Sequence, residues 1–462
     1  MSDFSFRLNP YTFVREYSGY FYLENQVSHV RAILPADEFK WLSHIGHGPV
    51  YRLGQLCGGV SDWQEKTRLL RQLHEAWLID IEEEPVWLER KFSYVHKNEI
   101  ERRFADFPVI GVVNPDSKSY LCNLQFELTD ACNERCIHCY LPDAKKDRCK
   151  ALSTEQVIDI LHQYREMEGL KVVFSGGEIL LHPHLFRILE ECKRLNLMIL
   201  LQSNLLSLTE TGLQRIKELD VFNVQVSLYS TDERIHERIT QRKGSFAKTK
   251  RNLELLVKHD IPVMISCPVM DLNFSTVRGL HRYAKELGVD IYFDFMMMAE
   301  CNGCSENLDA RLSAEQTREM LKFHIDVNPM FVEAISASRS LEEALSKKYA
   351  RRRTMCSILS ASLCIDSDGT VYPCPGWNDL KLGNMESDTL SGIWQSEAAD
   401  NLRGVSMDGF AKCRGCDLHN FCDMCAVYNY NENGDLYNIC PRFCEMAGML
   451  KECVIEKYNE LH

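Results

Sequence analysis

The 462-residue sequence predicts an α/β chain: a partial (β/α)6 TIM-like barrel, preceded by a winged-helix-like domain and followed by a cysteine-rich domain. Three observations predict it. Six apolar runs, LCNLQFEL, LKVVFS, LMILLQS, VFNVQVSL, IPVMISCPV and VDIYFDFMMM, alternate with helical stretches from about residue 119 to 298, the order that builds a parallel sheet through crossover helices. The first 90 residues run from short aromatic and branched strands into helically spaced segments. From about residue 354 periodicity fades, and cysteine, glycine and proline accumulate. The expected boundaries are 1–90 for the first domain, 91–118 for a linker, 119–305 for the barrel, 306–350 for a helical connector and 351–462 for the last domain.

Taken in order, SGYFYLENQ and SHVRAIL read as strands, and DEFKWLSHIG and SDWQEKTRLLRQLHEAWLID as helices. Residues 1–90 hold 13 acidic and 9 basic side chains, which argues against a DNA-binding winged helix. Capping boxes from Ser153 to Gln156 and from Ser313 to Gln316 open two of the later helices. The basic segment SKKYARRRT leads into the C-terminal region, which is too poor in apolar pattern to bury much core. Metal is expected to hold it together.

Composition narrows the class. Hydrophobic residues make up 45% and charged residues 26%, as in globular proteins, with no apolar run of membrane-spanning length and no signal-like start. A cytoplasmic protein is expected. A net charge of −13 disfavours nucleic acid, and twenty cysteines in a reducing compartment favour metal over disulfides.

The stretch TDACNERCIHCYLP gathers Cys132, Cys136 and Cys139 without a fourth sulfur. Three thiolates can hold three irons of a cubane and leave the fourth open to a ligand. Placed after the first strand, that loop falls at the C-terminal mouth of a barrel, where β/α enzymes carry their chemistry. A zinc knuckle completed by His138 or Cys149 is the competing reading, though the unequal spacing suits it less.

The C-x3-C-x2-C spacing followed by Tyr140 resembles the radical S-adenosylmethionine (radical SAM) superfamily, in which three such cysteines bind a [4Fe–4S] cluster and the cofactor's amine and carboxylate chelate the fourth iron. Further motifs are similar. Gly176, Gly177 and Glu178 in FSGGEIL look like the family's GGE motif at the cofactor's amino group. Ser203 and Asn204 in LQSNL are placed like its ribose contacts, Ser227 in VSLYS resembles a cofactor-binding polar position, and Arg238 or Arg242 could pair with the cofactor's carboxylate. The resemblance implies reductive cleavage of S-adenosylmethionine, hydrogen abstraction by a 5′-deoxyadenosyl radical, and a flavodoxin or ferredoxin as electron donor.

The C-terminal spacing CSILSASLCIDSDGTVYPC, CRGCDLHNFCDMC and CPRFC resembles the SPASM extension, which usually carries two auxiliary iron–sulfur clusters. The resemblance implies Cys356, Cys374 and Cys425 for the first, with Cys364 a candidate fourth ligand or the position open. It implies Cys413, Cys416, Cys422 and Cys444 for the second, with Cys440 competing for the last place. A zinc ribbon of Cys413, Cys416, Cys422 and Cys425 is the bland alternative. Cys57, Cys122, Cys192, Cys267 and Cys453 read as packing residues, whereas Cys149, Cys301 and Cys304 fall near the barrel mouth.

Relatives with SPASM extensions mostly modify peptides, and the N-terminal unit resembles the element that binds leader peptides of ribosomally made, post-translationally modified products (RiPPs) by adding a strand to a sheet. The expectation is a maturase of a leader-bearing precursor peptide, forming an intrapeptide crosslink, thioether or carbon–carbon. Formylglycine formation as in sulfatase maturation, peptide epimerisation and a non-catalytic zinc scaffold are the alternatives. The general base is not legible.

Overall fold

The computed structural model describes residues 3–37, 39, 50–56, 60–82, 109–111, 119–146, 151–349, 359–377, 379–405 and 409–462. Six parallel strands form the barrel: β8 (Asn123–Thr129), β9 (Lys171–Gly176), β10 (Met198–Ser203), β11 (Asn223–Ser227), β12 (Val263–Pro268) and β13 (Asp290–Asp294). These match the six apolar runs. Residues such as Phe126, Phe174, Leu201, Val224 and Ile265 alternate to the outer face and pack beneath the crossover helices in the main core. The capping boxes at Ser153 and Ser313 both form.

The opposite face of the strands lines the barrel interior, and it is polar. Gln125 donates to Ser175 Oγ at 2.9 Å, and Gln202 donates across the β10–β11 pair to Gln225, also at 2.9 Å. All but Ser175 remain half-buried rather than sealed.

The C-terminal region departs from expectation. β14 (Ser362–Ile365) pairs parallel to β8, and β15 (Thr370–Tyr372) and β16 (Gly383–Asn384) continue antiparallel, extending the barrel sheet to nine strands. Trp377, Phe410, Tyr428, Ile439 and Phe443 join the barrel core. The region therefore borrows apolar surface from its neighbour and does not depend on metal alone for burial, which its own local pattern could not reveal.

At the N-terminus, β1 (Ser5–Leu8) pairs with β5 (Tyr51–Arg52) and β6 (Ile79–Ile81). β2 (Thr12–Tyr17), β3 (Tyr20–Asn25), β4 (Arg31–Pro35) and β7 (Ile110–Gly111) form a second sheet. The expected helix through Asp80 ends at Glu75, because Trp77 turns the chain with a left-handed φ of 64° and frees Ile79 and Ile81 to pair, buried, with β1. The other expected helix, DEFKWLSHIG, lies almost wholly outside the described residues. β7 returns from the segment read as a linker to the N-terminal sheet, so that part of 91–118 belongs with the first domain.

The second sheet docks across the foot of the barrel. Arg15, 1% exposed, donates from Nε to the Gly169 carbonyl at 2.6 Å and from Nη2 to that of Asn196, just ahead of β9 and β10. Tyr17 donates to the Glu168 carbonyl at 2.7 Å, and Gln26 to that of Asp220 at 3.2 Å, ahead of β11. Phe13, Leu170 and Met198 fill the seam. Burial lowers the Arg15 pKa to about 10, so the guanidinium stays charged at neutral pH. Replacing Arg15 with Met strands buried carbonyls. We expect a loss of about 3 kcal/mol in urea unfolding, and an unchanged midpoint would show that the foot contact is dispensable.

Candidate metal and cofactor site

The three-cysteine loop leaves β8 at Thr129 and is pinned from two sides. The N–H groups of Arg135 and Ile137 donate to the Thr240 and Ile239 carbonyls at 3.1 and 3.0 Å, docking the loop on the end of the helix Glu233–Thr240. On the other side, Gly177 N–H donates to the Thr129 carbonyl at 2.7 Å and Glu178 N–H to that of Ala131 at 2.8 Å.

This second contact explains the glycines. A Cβ on Gly177 would lie 2.3 Å from the Ala131 carbonyl oxygen, and one on Gly176, whose φ is +124°, would lie 2.4 Å from that of Thr129. The backbone they admit is that of the cysteine loop itself.

Within the loop the thiols of Cys132, Cys136 and Cys139 lie near enough to raise one another's pKa, but burial is the larger cause, lifting Cys132 to about 11 and the other two upward as well. The metal-free thiols are protonated at neutral pH, and a metal must displace those protons. Tyr229, not anticipated from sequence, sets its hydroxyl 3.9 Å from Cys136 Sγ, packs edge-on against His138, and hydrogen-bonds Ser227.

Glu178 is buried and holds the next strand end. Its Oε1 accepts from Ser203 Oγ at 2.7 Å and Leu180 N–H at 3.0 Å, and its Oε2 from Asn204 N–H at 2.7 Å. Asn204 Nδ2 donates back to Asn133 Oδ1 at 2.7 Å. The motifs at three strand ends thus form one hydrogen-bonded unit with the loop. Arg242 reaches the loop, donating to the Asn133 carbonyl at 3.4 Å, whereas Arg238 is exposed on its helix.

Tyr140 points below the loop. Its hydroxyl donates to Glu127 Oε1 at 2.5 Å, and Glu127 Oε2 lies 3.5 Å from Lys145 Nζ. Lys145 also meets Asp366 at 2.8 Å and Asp130 at 3.9 Å, every member being nearly inaccessible. One buried cation thereby joins β8, the cysteine loop and the end of β14. Burial pushes Glu127 up to about 7 despite Lys145, while the surrounding carboxylates outweigh desolvation and raise Lys145. None of these partners of Tyr140 was legible, since they are scattered over 240 residues of sequence.

In the C-terminal region Cys413 feels Cys416 and Cys444, and Cys422 feels Cys444 and Cys413, so these four thiols are gathered. Cys440 instead donates to Glu432 Oε2 at 3.2 Å, and Glu432 is held bidentately by Arg311 at 2.7 and 3.1 Å. Cys364 is buried within reach of Cys374's field, Cys425 caps the helix Ala426–Asn433, and Cys356, like Cys57 and Cys149, lies outside the described residues. The N–H of Cys301 donates to the Tyr140 carbonyl at 2.9 Å, and Cys192, Cys267 and Cys453 are buried.

No disulfide forms among the described cysteines. Among the described residues no three His, Cys, Asp or Glu side chains are placed to share one ion, although the loop thiols are electrostatically coupled. Glu134 in the same loop is buried, and its Oε1 has no hydrogen-bond partner among the described residues. The residues present fit an iron–sulfur cluster carrying a further ligand.

Barrel, loop and cysteine-rich extension define an iron–sulfur enzyme of radical type. Residues 126–284 match the radical SAM superfamily and residues 356–417 the SPASM iron–sulfur cluster-binding domain; the chain is a radical SAM enzyme with an SPASM domain. These domains imply [4Fe–4S] clusters and S-adenosylmethionine. The antilisterial bacteriocin subtilosin biosynthesis protein AlbA of Bacillus subtilis is 26% identical over 315 residues, 67% of this chain and 68% of AlbA. An AdoMet-dependent heme synthase of Methanosarcina barkeri is 22% identical over 326 residues, 68% of this chain and 93% of the synthase. In fold, the chain resembles Streptococcus suis SuiB bound to precursor peptide SuiA, with a TM-score of 0.60 and 16% identity, over 93% of this chain and 97% of SuiB. No helix among the described residues is long and apolar enough to cross a membrane.

Replacing Lys145 with Met leaves Glu127, Asp130 and Asp366 buried without their cation, a loss of about 3–5 kcal/mol. Because the folded state then favours protonated carboxyls, stability should fall further as pH rises from 6 to 8. Thermal unfolding checks both, and a pH-independent loss would refute the electrostatic account. Gly177→Ala should displace the loop, and we expect less iron retained after anaerobic reconstitution, read by iron and sulfide analysis.

Proposed function

We propose that the chain matures a ribosomally made precursor peptide, installing an intrapeptide crosslink, either thioether or carbon–carbon. The observation that carries this reading is the reach of the fold: the likeness to the peptide-bound SuiB runs over 93% of the chain and so includes the N-terminal sheets. AlbA, by its name, also serves the biosynthesis of a ribosomal product, a bacteriocin.

In this reading Cys132, Cys136 and Cys139 hold the cluster that binds S-adenosylmethionine. Tyr140, Gly176, Gly177, Glu178, Ser203, Asn204 and Ser227 form or support the cofactor pocket, and of the two candidate arginines Arg242, which reaches the loop, is better placed than Arg238. Cys356, Cys374 and Cys425, with Cys364 available, serve the first auxiliary cluster. Cys413, Cys416, Cys422 and Cys444 serve the second, since Cys440 is engaged by Glu432. When bound, cluster and cofactor supply a 5′-deoxyadenosyl radical that abstracts hydrogen from the substrate; a flavodoxin or ferredoxin is the expected reductant.

The chain's own part is to bind and orient. Edge strands β5 and β7 each have one neighbour among the described residues, which leaves main-chain groups for a leader peptide. The amides and hydroxyl of Gln125, Gln202, Gln225 and Ser175 line the interior with neutral donors and acceptors suited to peptide groups.

Co-expression with a leader-bearing peptide encoded beside the gene, followed by tandem mass spectrometry, tests the proposal. The expected product is lighter by two hydrogens per crosslink and disappears when Cys132, Cys136 and Cys139 are replaced by Ala or the leader is removed. An unchanged mass with inverted stereochemistry would mean epimerisation, and a cysteine whose sulfur is replaced by oxygen with loss of two further hydrogens would mean formylglycine.

A further inference from the structure

We propose that the exposed cations Arg234, Arg238, Lys243, Lys248 and Arg251 form a docking surface, beside the cysteine loop, for an acidic one-electron carrier protein. The proposal rests on the reading that a protein reductant supplies the electron for cleaving S-adenosylmethionine, and not on the peptide reading. In a chain of net charge −13, residues 232–251 hold seven basic and three acidic side chains. The five named cations are all exposed, and none forms an ion pair among the described residues. Elsewhere on the barrel the helices pair their charges: Arg165, Arg187, Lys193, Arg194 and Arg215 each meet a carboxylate. Two of the three acids in the basic segment are spent on its own backbone. Asp232 accepts from the N–H groups of Arg234 and Ile235 at 2.8 and 3.4 Å, and Glu237 from that of Gly244 at 2.5 Å.

Position makes these charges unfavourable to the fold itself. Arg234 and Lys248 stand in the first turns of the helices Glu233–Thr240 and Ser245–Lys258, and Lys243 just ahead of the second, where the helix dipole disfavours positive charge. Arg234 and Arg238 are also four residues apart on one helix, a like-charge spacing that destabilises. A negative partner surface relieves both. Location selects that partner. The helix Glu233–Thr240 gives its last two carbonyls to Ile137 and Arg135 of the cysteine loop, and Arg242, next to Lys243, donates to the Asn133 carbonyl. A protein held on this helix pair stands beside the loop whose sulfurs bind the cluster to be reduced. The carrier loses one electron and the cluster gains it, with no bond made or broken, and such transfer weakens steeply with distance. The strand edges offered to a leader peptide belong to the N-terminal domain at the barrel's foot, and the chain's overall charge repels nucleic acid.

The test uses the full-length enzyme, reconstituted anaerobically. Arg234→Glu, Lys243→Glu and Lys248→Glu are combined in one variant and the corresponding glutamine changes in a second. A control of equal charge combines Lys217→Glu, Lys258→Glu and Lys285→Glu, which stand in the last turns of their helices. Binding of flavodoxin, of ferredoxin and of the leader-bearing peptide is read by isothermal titration, and cluster reduction by each carrier by stopped-flow absorbance at low and high salt. We expect the glutamate variant to bind its carrier about tenfold or more weakly at low salt and to be reduced correspondingly more slowly, with the wild-type advantage lost as salt rises. The glutamine variant should fall between, the control should follow wild type, and dithionite should reduce all four proteins to the same end point. Equal carrier binding by wild type and glutamate variant, or an equal loss in the control, overturns the docking surface and leaves a protein reductant in place. Weakened peptide binding with unchanged carrier binding assigns the surface to the peptide and also overturns it. An altered dithionite end point in both patch variants overturns it too, because the side chains would then be shaping the loop. Failure of both carriers to reduce wild type would remove the protein-reductant reading itself, and the proposal with it.

Discussion

Lys145 carries its charge where water does not reach, and it is tolerated there only because Glu127, Asp130 and Asp366 surround it. Each partner belongs to a different stretch: the first barrel strand, the cysteine loop and the C-terminal hairpin. Desolvating four ionisable groups costs more than their attraction returns unless geometry is tight, so these three stretches are constrained to one arrangement. Tyr140 ties the last cysteine of the loop into the same network through Glu127. This contact, together with the shared apolar core, fixes the position of the loop relative to the C-terminal cysteines.

A second constraint acts from the neighbouring strand ends. Gly176 and Gly177 let β9 press its backbone against Thr129 and Ala131, and Glu178 then reaches past them to order Ser203 and Asn204. The loop is thus fixed by backbone proximity on one side and by helix carbonyls on the other, leaving its sulfurs as the adjustable part. Its buried polar groups, above all Glu134, are satisfied incompletely by the protein. Strain of this kind concentrates where a ligand completes the structure.

Much of this was legible because it is local. The six strands were readable from apolar runs bounded by helical stretches, the loop from its spacing, and the GGE triplet and the Ser203–Asn204 pair from their resemblance to the superfamily's motifs. What escaped was set by tertiary contact. The C-terminal hairpin joins the barrel sheet because β8 offers it an edge, and the Trp77 turn and β6 exist because β1 does. Glu127, Lys145 and Asp366 could not be associated without knowing that β14 lies beside β8. Tyr229 is only a strand-end tyrosine until the helix it packs on carries the loop to it. Spacing favours Cys444 over Cys440, but the hydrogen bond from Cys440 to Glu432 is one that no spacing announces.

Because the N-terminal sheet is bolted to the foot of the barrel by Arg15 while the cysteines stand at its mouth, anything gripped by that sheet starts at the wrong end. Six-residue strands such as β9 make the barrel roughly 20 Å deep, and an extended chain covers about 3.3 Å per residue. A tethered substrate would therefore need a spacer of on the order of six residues before its first reactive side chain arrives. The scaffold acts as a ruler, sparing the residues nearest the tether and admitting only those beyond its length.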